Sequence, residues 1–263
     1  MINRLSFFLF FLFFTQLNAL EFKGKFIQGH FIIGKTDPST KIIIDKKRIK
    51  VTKDGYFAFG IEKERKLDII IVEGNKTIIK KIQKRKYNLQ KIEGLPKKKV
   101  TPPEEFYARI KKENKLIGKA REINSDLSFF KDKFIIPVDD AIITGVYGSQ
   151  RILNGIPKWP HYGLDFAKKK GTPIKAMNNG IVTLAEKDLF YTGATLIFDH
   201  GHGVSTLYMH MNEIFVNVGD HVKKGDIVAT IGTSGRSTGP HLDIRLNWFG
   251  TRLDPATILN IQQ

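Results

Sequence analysis

The stretch Gly232-Thr-Ser-Gly-Arg-Ser-Thr-Gly-Pro-His-Leu-Asp-Ile-Arg245 decides how this chain is read. Small and turn-forming residues deliver a short apolar run that carries His241 and Asp243. In a strand, residues two apart point to the same face. Leu242 is therefore expected to face a core, while His241 and Asp243 together face a cleft. Two upstream pieces carry compatible chemistry: His161-Tyr-Gly-Leu-Asp165 and Tyr208-Met-His210. Six of the seven histidines follow residue 160. Imidazole and carboxylate are the ligands zinc takes where there is no thiolate. The chain has no cysteine, which also excludes disulfides and cysteine-bound metal.

His161 and Asp165 are four apart, which in a straight strand means one face but about 13 Å of separation. One metal holds its ligand atoms at about 2.0–2.2 Å. The chain must therefore bend between the two, and Gly163 is the residue that permits it. His210 ends the apolar run Thr206-Leu-Tyr-Met, and strand alternation puts it on the same face as Tyr208. His200 and His202 fall in the tight turn Asp199-His-Gly-His-Gly and are weaker candidates. His221 reads as a solvated hairpin residue, and His30 as packed or exposed rather than a ligand.

Working outward, residues 134–263 read as nearly all β. Short runs alternate with glycine turns: 141–146, 180–185, 195–199, 204–208, 226–231 and 241–247. No helix-length periodic segment occurs before Pro255. Residues 22–92 also read as closely spaced strands, over 26–33, 41–44, 48–51, 56–59, 67–72 and 77–82. Asp54-Gly55 and Glu73-Gly-Asn-Lys76 mark turns between them. That spacing predicts a small β-sandwich of immunoglobulin-like type. Between the halves, Gly94-Leu-Pro-Lys-Lys-Lys-Val-Thr-Pro-Pro is a linker by composition. Thr101 with Glu104 reads as a capping box, and Pro102 as a first helical residue, so a helix is expected from about 102 to near 124.

Residues 1–19 read as a secretory signal, with Arg4, the apolar run Leu5 to Phe14, then Leu17-Asn18-Ala19 as a cleavage site; the alternative is the same segment kept uncleaved as an N-terminal anchor. The body of the protein is expected outside the cytoplasm, in the periplasm or cell envelope. The net charge of +17 is uneven. Residues 1–133 hold 31 Lys+Arg against 15 Asp+Glu, and residues 134–263 hold 12 against 11. The first half therefore carries the field. Outside the cytoplasm its expected partners are anionic wall polymers or a membrane surface rather than nucleic acid; the alternative is that the lysines reflect codon bias and are only solvated on strand faces.

The pieces His161-x-x-x-Asp165, Tyr208-x-His210 and Gly239-Pro-His241-x-Asp243 together resemble the lysostaphin-like (LytM-type) zinc endopeptidases of peptidoglycan. The resemblance runs from about 136 to 255 and includes Gly171-Thr-Pro-Ile-Lys-Ala, Gly180-Ile-Val and Gly219-Asp-His-Val-Lys-Lys-Gly-Asp. It implies a mainly β chain. Its parts are a signal peptide (1–19), a basic sandwich module (20–95), a linker and helix (96–130) and an antiparallel LytM-type domain of duplicated hybrid motif (131–257). It implies one Zn2+, or another divalent metal, on His161, Asp165 and Asp243, with His210 and His241 as catalytic histidines. The family's usual ending is His-x-His, and Asp243 stands where the second histidine would be. One imidazole with two carboxylates neutralises the ion's charge, which raises the pKa of its water and tilts preference slightly toward manganese or iron. The alternative the resemblance leaves open is a non-catalytic regulator that activates a partner amidase, or a wall-binding module. The turn 218–228 also resembles biotinyl and lipoyl carriers, but no Met-Lys-Met or Asp-Lys-Ala is present to take the cofactor.

Overall fold

The computed structural model describes residues 20–259 and residue 261. The signal-peptide reading of 1–19 lies outside the described residues. Among the described residues no helix is long and apolar enough to cross a membrane.

The N-terminal half forms two small sheets. One has three strands, with Phe31–Lys35 between Glu21–Lys23 and Tyr56–Gly60. The other has four, in the order Lys47–Ile49, Ile42–Ile44, Ile69–Glu73, Lys76–Lys80. Alternation explains why they face each other. Ile32, Phe57 and Phe59 from the first sheet and Ile42, Ile44, Ile69 and Ile71 from the second share one buried cluster. Each such side chain contributes about 1.5–3 kcal/mol by leaving water. The expected strand 26–33 is shorter than its sequence suggests. A turn at Gln28-Gly29, with Gly29 at φ +83, interrupts it, and the strand begins at Phe31.

The connector also departs from expectation. A short helix, Lys97–Val100, sits inside the stretch that reads as linker. The long helix is Tyr107–Arg121, preceded by a 3-10 turn at Glu104–Phe106. Pro103 is extended and neither helix start has a side-chain cap, so the Thr101–Glu104 box does not form. Consecutive prolines explain the delay, because a residue that precedes proline is pushed out of the helical region.

The C-terminal half is built on a ten-stranded antiparallel sheet. Its main path runs His221–Val222, Gly180–Leu189, Gly193–Asp199, Val204–Ile214, His241–Trp248, Leu164–Ala167, Ile142–Gly145. One face buries Leu164, Phe166, Leu196, Phe198, Tyr208, Leu242 and Ile244 in a single core. On the opposite face, Ile117 and Ala120 of the long helix cover Leu184, Ile197, Leu207 and Met209. The halves are tied together by Phe31 and Ala58 against Val204, Leu246 and Leu253, and by the ion pair Arg85–Asp254 at 2.6 Å. The strand Leu89–Ile92, from the end of the first half, pairs in parallel with Gln150–Leu153.

Candidate metal centre

The stretch that decides the fold also brings the candidate residues together. In the strand His241–Trp248, Leu242 and Ile244 enter the core, and Asp243 lies on the other face beside His241. The neighbouring strand Leu164–Ala167 pairs antiparallel with it, and Asp165 stands directly opposite Asp243. His161 precedes that strand. Its Nε2 lies 3.1 Å from Asp165 Oδ1 and 3.2 Å from Asp243 Oδ2. Ligand atoms of His161, Asp165 and Asp243 all lie within 4.8 Å of one another, and all three residues are buried.

Gly163 serves this arrangement through space rather than through an unusual φ. A Cβ there would fall on Asp243 Oδ1 and the Ile244 carbonyl. One at Gly145 would fall on Asp165 Oδ2. The two glycines clear room for the two carboxylates.

A cation suits these donors. The His161 Nδ1–H donates to the Val146 carbonyl at 3.3 Å, so Nε2 faces two carboxylates. A lone pair facing two negative charges is repulsive, and a proton or a metal ion has to lie between them. Burial pulls the His161 pKa down, but Asp165 and Asp243 outweigh it and lift it above its ordinary value. Burial likewise opposes ionisation of Asp165, and His161 and Arg151 overcome it, so that carboxyl stays below its usual range. Asp243 Oδ1 is buried without a hydrogen-bond partner among the described residues, and Asp165 Oδ1 has only His161 Nε2 within reach, at 3.1 Å. Orphaned buried acceptors are costly, and metal coordination relieves them.

His210 reaches the same place by a route that alternation does not give. The pairing of Val204–Ile214 with its neighbours breaks around it, and His210 has φ +65. A β-bulge in the left-handed region re-aims a side chain. Tyr208 stays in the core and donates to the Lys175 carbonyl, whereas the His210 ring lies 4.9 Å from that of His241. The two therefore do not share a face as expected. The His210 Nδ1–H donates to the Ser234 carbonyl at 2.8 Å, and the His241 Nδ1–H to the Gly239 carbonyl at 2.8 Å. Each tautomer, assigned from these bonds, leaves Nε2 without a protein partner among the described residues. Burial, then the neighbouring His241, pushes the His210 pKa down to about 4.

The remaining histidines are elsewhere. His200 is buried between the Asn179 carbonyl and Thr206 Oγ1, and His202 packs on Phe130. His221 is exposed, and His30 lines a cavity away from Asp165 and Asp243. The sequence reading missed the arginines. Arg151 Nη2 lies 3.0 Å from Asp165 Oδ2, and Arg245 Nη2 lies 3.3 Å from Asp243 Oδ2. Arg245 was open to detection, since it shares a strand face with Asp243 at two residues' distance. Arg151 was not, because only tertiary folding brings it to Asp165.

Residues 159–255 match the profile of Peptidase family M23. The peptidoglycan DD-endopeptidase ShyA of Vibrio cholerae is 37% identical over 87 residues, which is 33% of this chain and 20% of that protein. The catalytic domain of the antimicrobial peptidase lysostaphin from Staphylococcus simulans is 31% identical, over 47% of this chain and 95% of that one, with TM-score 0.42. A solved Pseudomonas aeruginosa protein assigned to peptidase M23 shares the fold over 89% of this chain and 95% of its own, at TM-score 0.67 and 23% identity. The chain spans about a fifth of the length of the curated relatives it matches.

Proposed function

The chain belongs to peptidase family M23, and on that premise we propose that it is a metal-dependent hydrolase of peptide bonds in peptidoglycan. One observation carries the reading. A buried His161/Asp165/Asp243 group with an orphaned carboxylate oxygen on Asp243 stands beside two imidazoles whose Nε2 atoms have no protein partner among the described residues.

His161, Asp165 and Asp243 would hold the ion, zinc in the first instance. When bound, a divalent cation supplies Lewis acidity toward a scissile carbonyl and makes a water more acidic. The chain's own side chains do the rest. His210 is neutral above about pH 4, so its Nε2 lone pair is ready to take a proton from the attacking water. His241, oriented by the Gly239 carbonyl and Ser237, flanks it as the second imidazole. A ring that has gained the proton becomes an N–H donor that steadies the developing oxyanion. Burial of the group strengthens each of these interactions.

The wider assignment belongs to the same proposal. Residues 1–19 export the chain to the periplasm or envelope, 20–95 form an immunoglobulin-like module, 96–130 connect, and 131–257 act. The basic half supports attachment to anionic wall polymer or membrane. A cavity of about 940 Å³ between the halves is lined by Lys23, Lys25, Lys84, Arg85 and Lys133.

The deciding experiment compares His241→Ala and Asp243→Ala with the wild type for zinc content and for cleavage of cross-linked muropeptides. His241→Ala should keep the metal and lose cleavage, whereas Asp243→Ala should lose both. Wild-type protein that binds zinc and cuts nothing would overturn the hydrolase reading in favour of a regulator that works through a partner amidase.

A further inference from the structure

Three arginines border the His161/Asp165/Asp243 group, and two of them are committed. Arg151 and Arg245 each pair with one of its carboxylates. Arg236 pairs with none: among the described residues no carboxylate lies within ion-pair distance of it. Its guanidinium carbon sits 4.6 Å from the centre of the Tyr191 ring, and its backbone N–H donates to the Tyr191 carbonyl at 2.8 Å. Among the described residues the one hydrogen bond of its side chain is long, from Nη1 to the Lys99 carbonyl at 3.4 Å.

The position of Arg236 gives this a meaning. It belongs to the loop that links the strands Ile227–Ile231 and His241–Trp248. Two residues before it, the Ser234 carbonyl holds His210 Nδ1, and one residue after it, Ser237 Oγ lies 3.2 Å from His241 Nδ1. The loop that orients both free imidazoles therefore also carries an unpaired cation. Burial pulls the Arg236 pKa down to about 10, and Arg245 and Arg151 add repulsion that Tyr191 and Asp243, already held by Arg245, only partly offset. No Arg236 nitrogen is among the buried atoms without a partner, so the rest of its fork stays open to solvent and can meet an incoming anion with charge-assisted hydrogen bonds. Contact with the Tyr191 ring holds the fork in place in advance, so little entropy is lost when a carboxylate docks.

We propose that Arg236, laid on Tyr191, is a specificity subsite that binds a free carboxylate of the peptide substrate next to the bond at the metal centre. This rests on the hydrolase reading and adds to it a substrate class: peptides whose carboxylates are free rather than amidated. Lysine in its place would keep the charge but lose the flat two-pronged donor.

The test uses the whole mature protein and two probes, a soluble cross-linked tetrapeptide dimer with free carboxylates and the same dimer fully amidated. Binding is measured by calorimetry on chelator-treated protein, so that no cleavage intervenes, and hydrolysis is followed separately with zinc. Wild type should bind the free acid about ten to a hundred times more tightly than the amide, as expected for a charge-assisted hydrogen bond. Arg236→Gln should bind both alike, and Arg236→Lys should keep part of the preference. With zinc, Arg236→Gln should raise KM for the acid substrate and leave kcat near wild type. Equal binding of the two probes by wild type, binding of neither, or an undiminished preference in Arg236→Gln overturns the subsite, whatever the hydrolysis assay shows. Preference in binding without hydrolysis in any variant supports the subsite and removes the hydrolase reading instead. Should Arg236→Gln fail to fold, the wild-type comparison and Arg236→Lys still decide.

Discussion

Arg245 stands two residues beyond Asp243 on one strand, and its Nη2 donates to Asp243 Oδ2 at 3.3 Å. Burial by itself would raise the Asp243 pKa. The charge of Arg245, then that of His161, reverses this and holds the carboxyl well below the usual carboxylate range. Arg151 does the same service for Asp165 from another strand. Each carboxylate of the group thus has its own guanidinium, and the negative charge that Asp243 adds in place of histidine is answered locally.

That pairing makes a prediction about restoring the common ligand set. Asp243→His alone strands Arg245 beside an imidazole, with no acceptor. The single variant should bind zinc more weakly than the double variant Asp243→His/Arg245→Gln, and the two changes should be non-additive by about 1–3 kcal/mol. Zinc titrations and thermal melts of the four proteins give the coupling. Additive effects would show that Arg245 and Asp243 are not a unit.

Gly163→Ala should abolish zinc binding, because its methyl would occupy the space of Asp243 Oδ1. The contrast is Gly118→Ala in the long helix, where a Cβ meets nothing within 4 Å. Removing a helix-interior glycine should stabilise the protein by about 0.5–1 kcal/mol and leave zinc binding unchanged. Metal analysis and urea denaturation of both variants settle the pair of claims. A zinc-loaded Gly163→Ala protein would contradict the proposed ligand role of Asp243.

His200 should make the fold acid-sensitive. Complete burial holds its pKa at about 4 against the ordinary 6.5. Between those values the unfolded chain takes up a proton that the folded chain refuses. Stability is therefore full above about pH 6.5 and is lost as pH falls toward 4, by roughly 3 kcal/mol for this one group. His210, also held near 4, adds a parallel share. Urea denaturation from pH 4 to 7.5 should show this slope, and His200→Gln should flatten it. An unchanged slope in that variant would refute the assignment.

Binding of the mature chain to whole sacculi or to anionic vesicles should weaken steadily with salt, since charges are screened beyond about 8 Å at physiological ionic strength. Replacing Lys23, Lys25 and Lys84 by Gln should weaken it further, because these residues line the basic cavity between the halves. Salt-independent binding, or none, would show that the charge of the first half is no tether. Sedimentation with sacculi measures both effects.

Local periodicity by itself determined that this chain is mainly β, and that His241 and Asp243 leave the sheet on the side opposite Leu242. Alternation along a strand is a property of the backbone, and it is legible wherever one face is apolar. The spacing of His161 and Asp165 also announced a bend. Three things were decided only in the tertiary structure. Residues as far apart as His161 and Asp243, separated by 82 positions, meet through strand register, which no local pattern encodes. His210 joins them by breaking the alternation that would have turned it with Tyr208, a bulge whose cause lies in the pairing of neighbouring strands. Arg151, placed by its pairing with Leu89–Ile92, and Arg236, placed against Tyr191, acquire their roles from what surrounds them. An arginine's sequence neighbours do not say whether its charge is answered; only the packed structure shows which carboxylates are within reach.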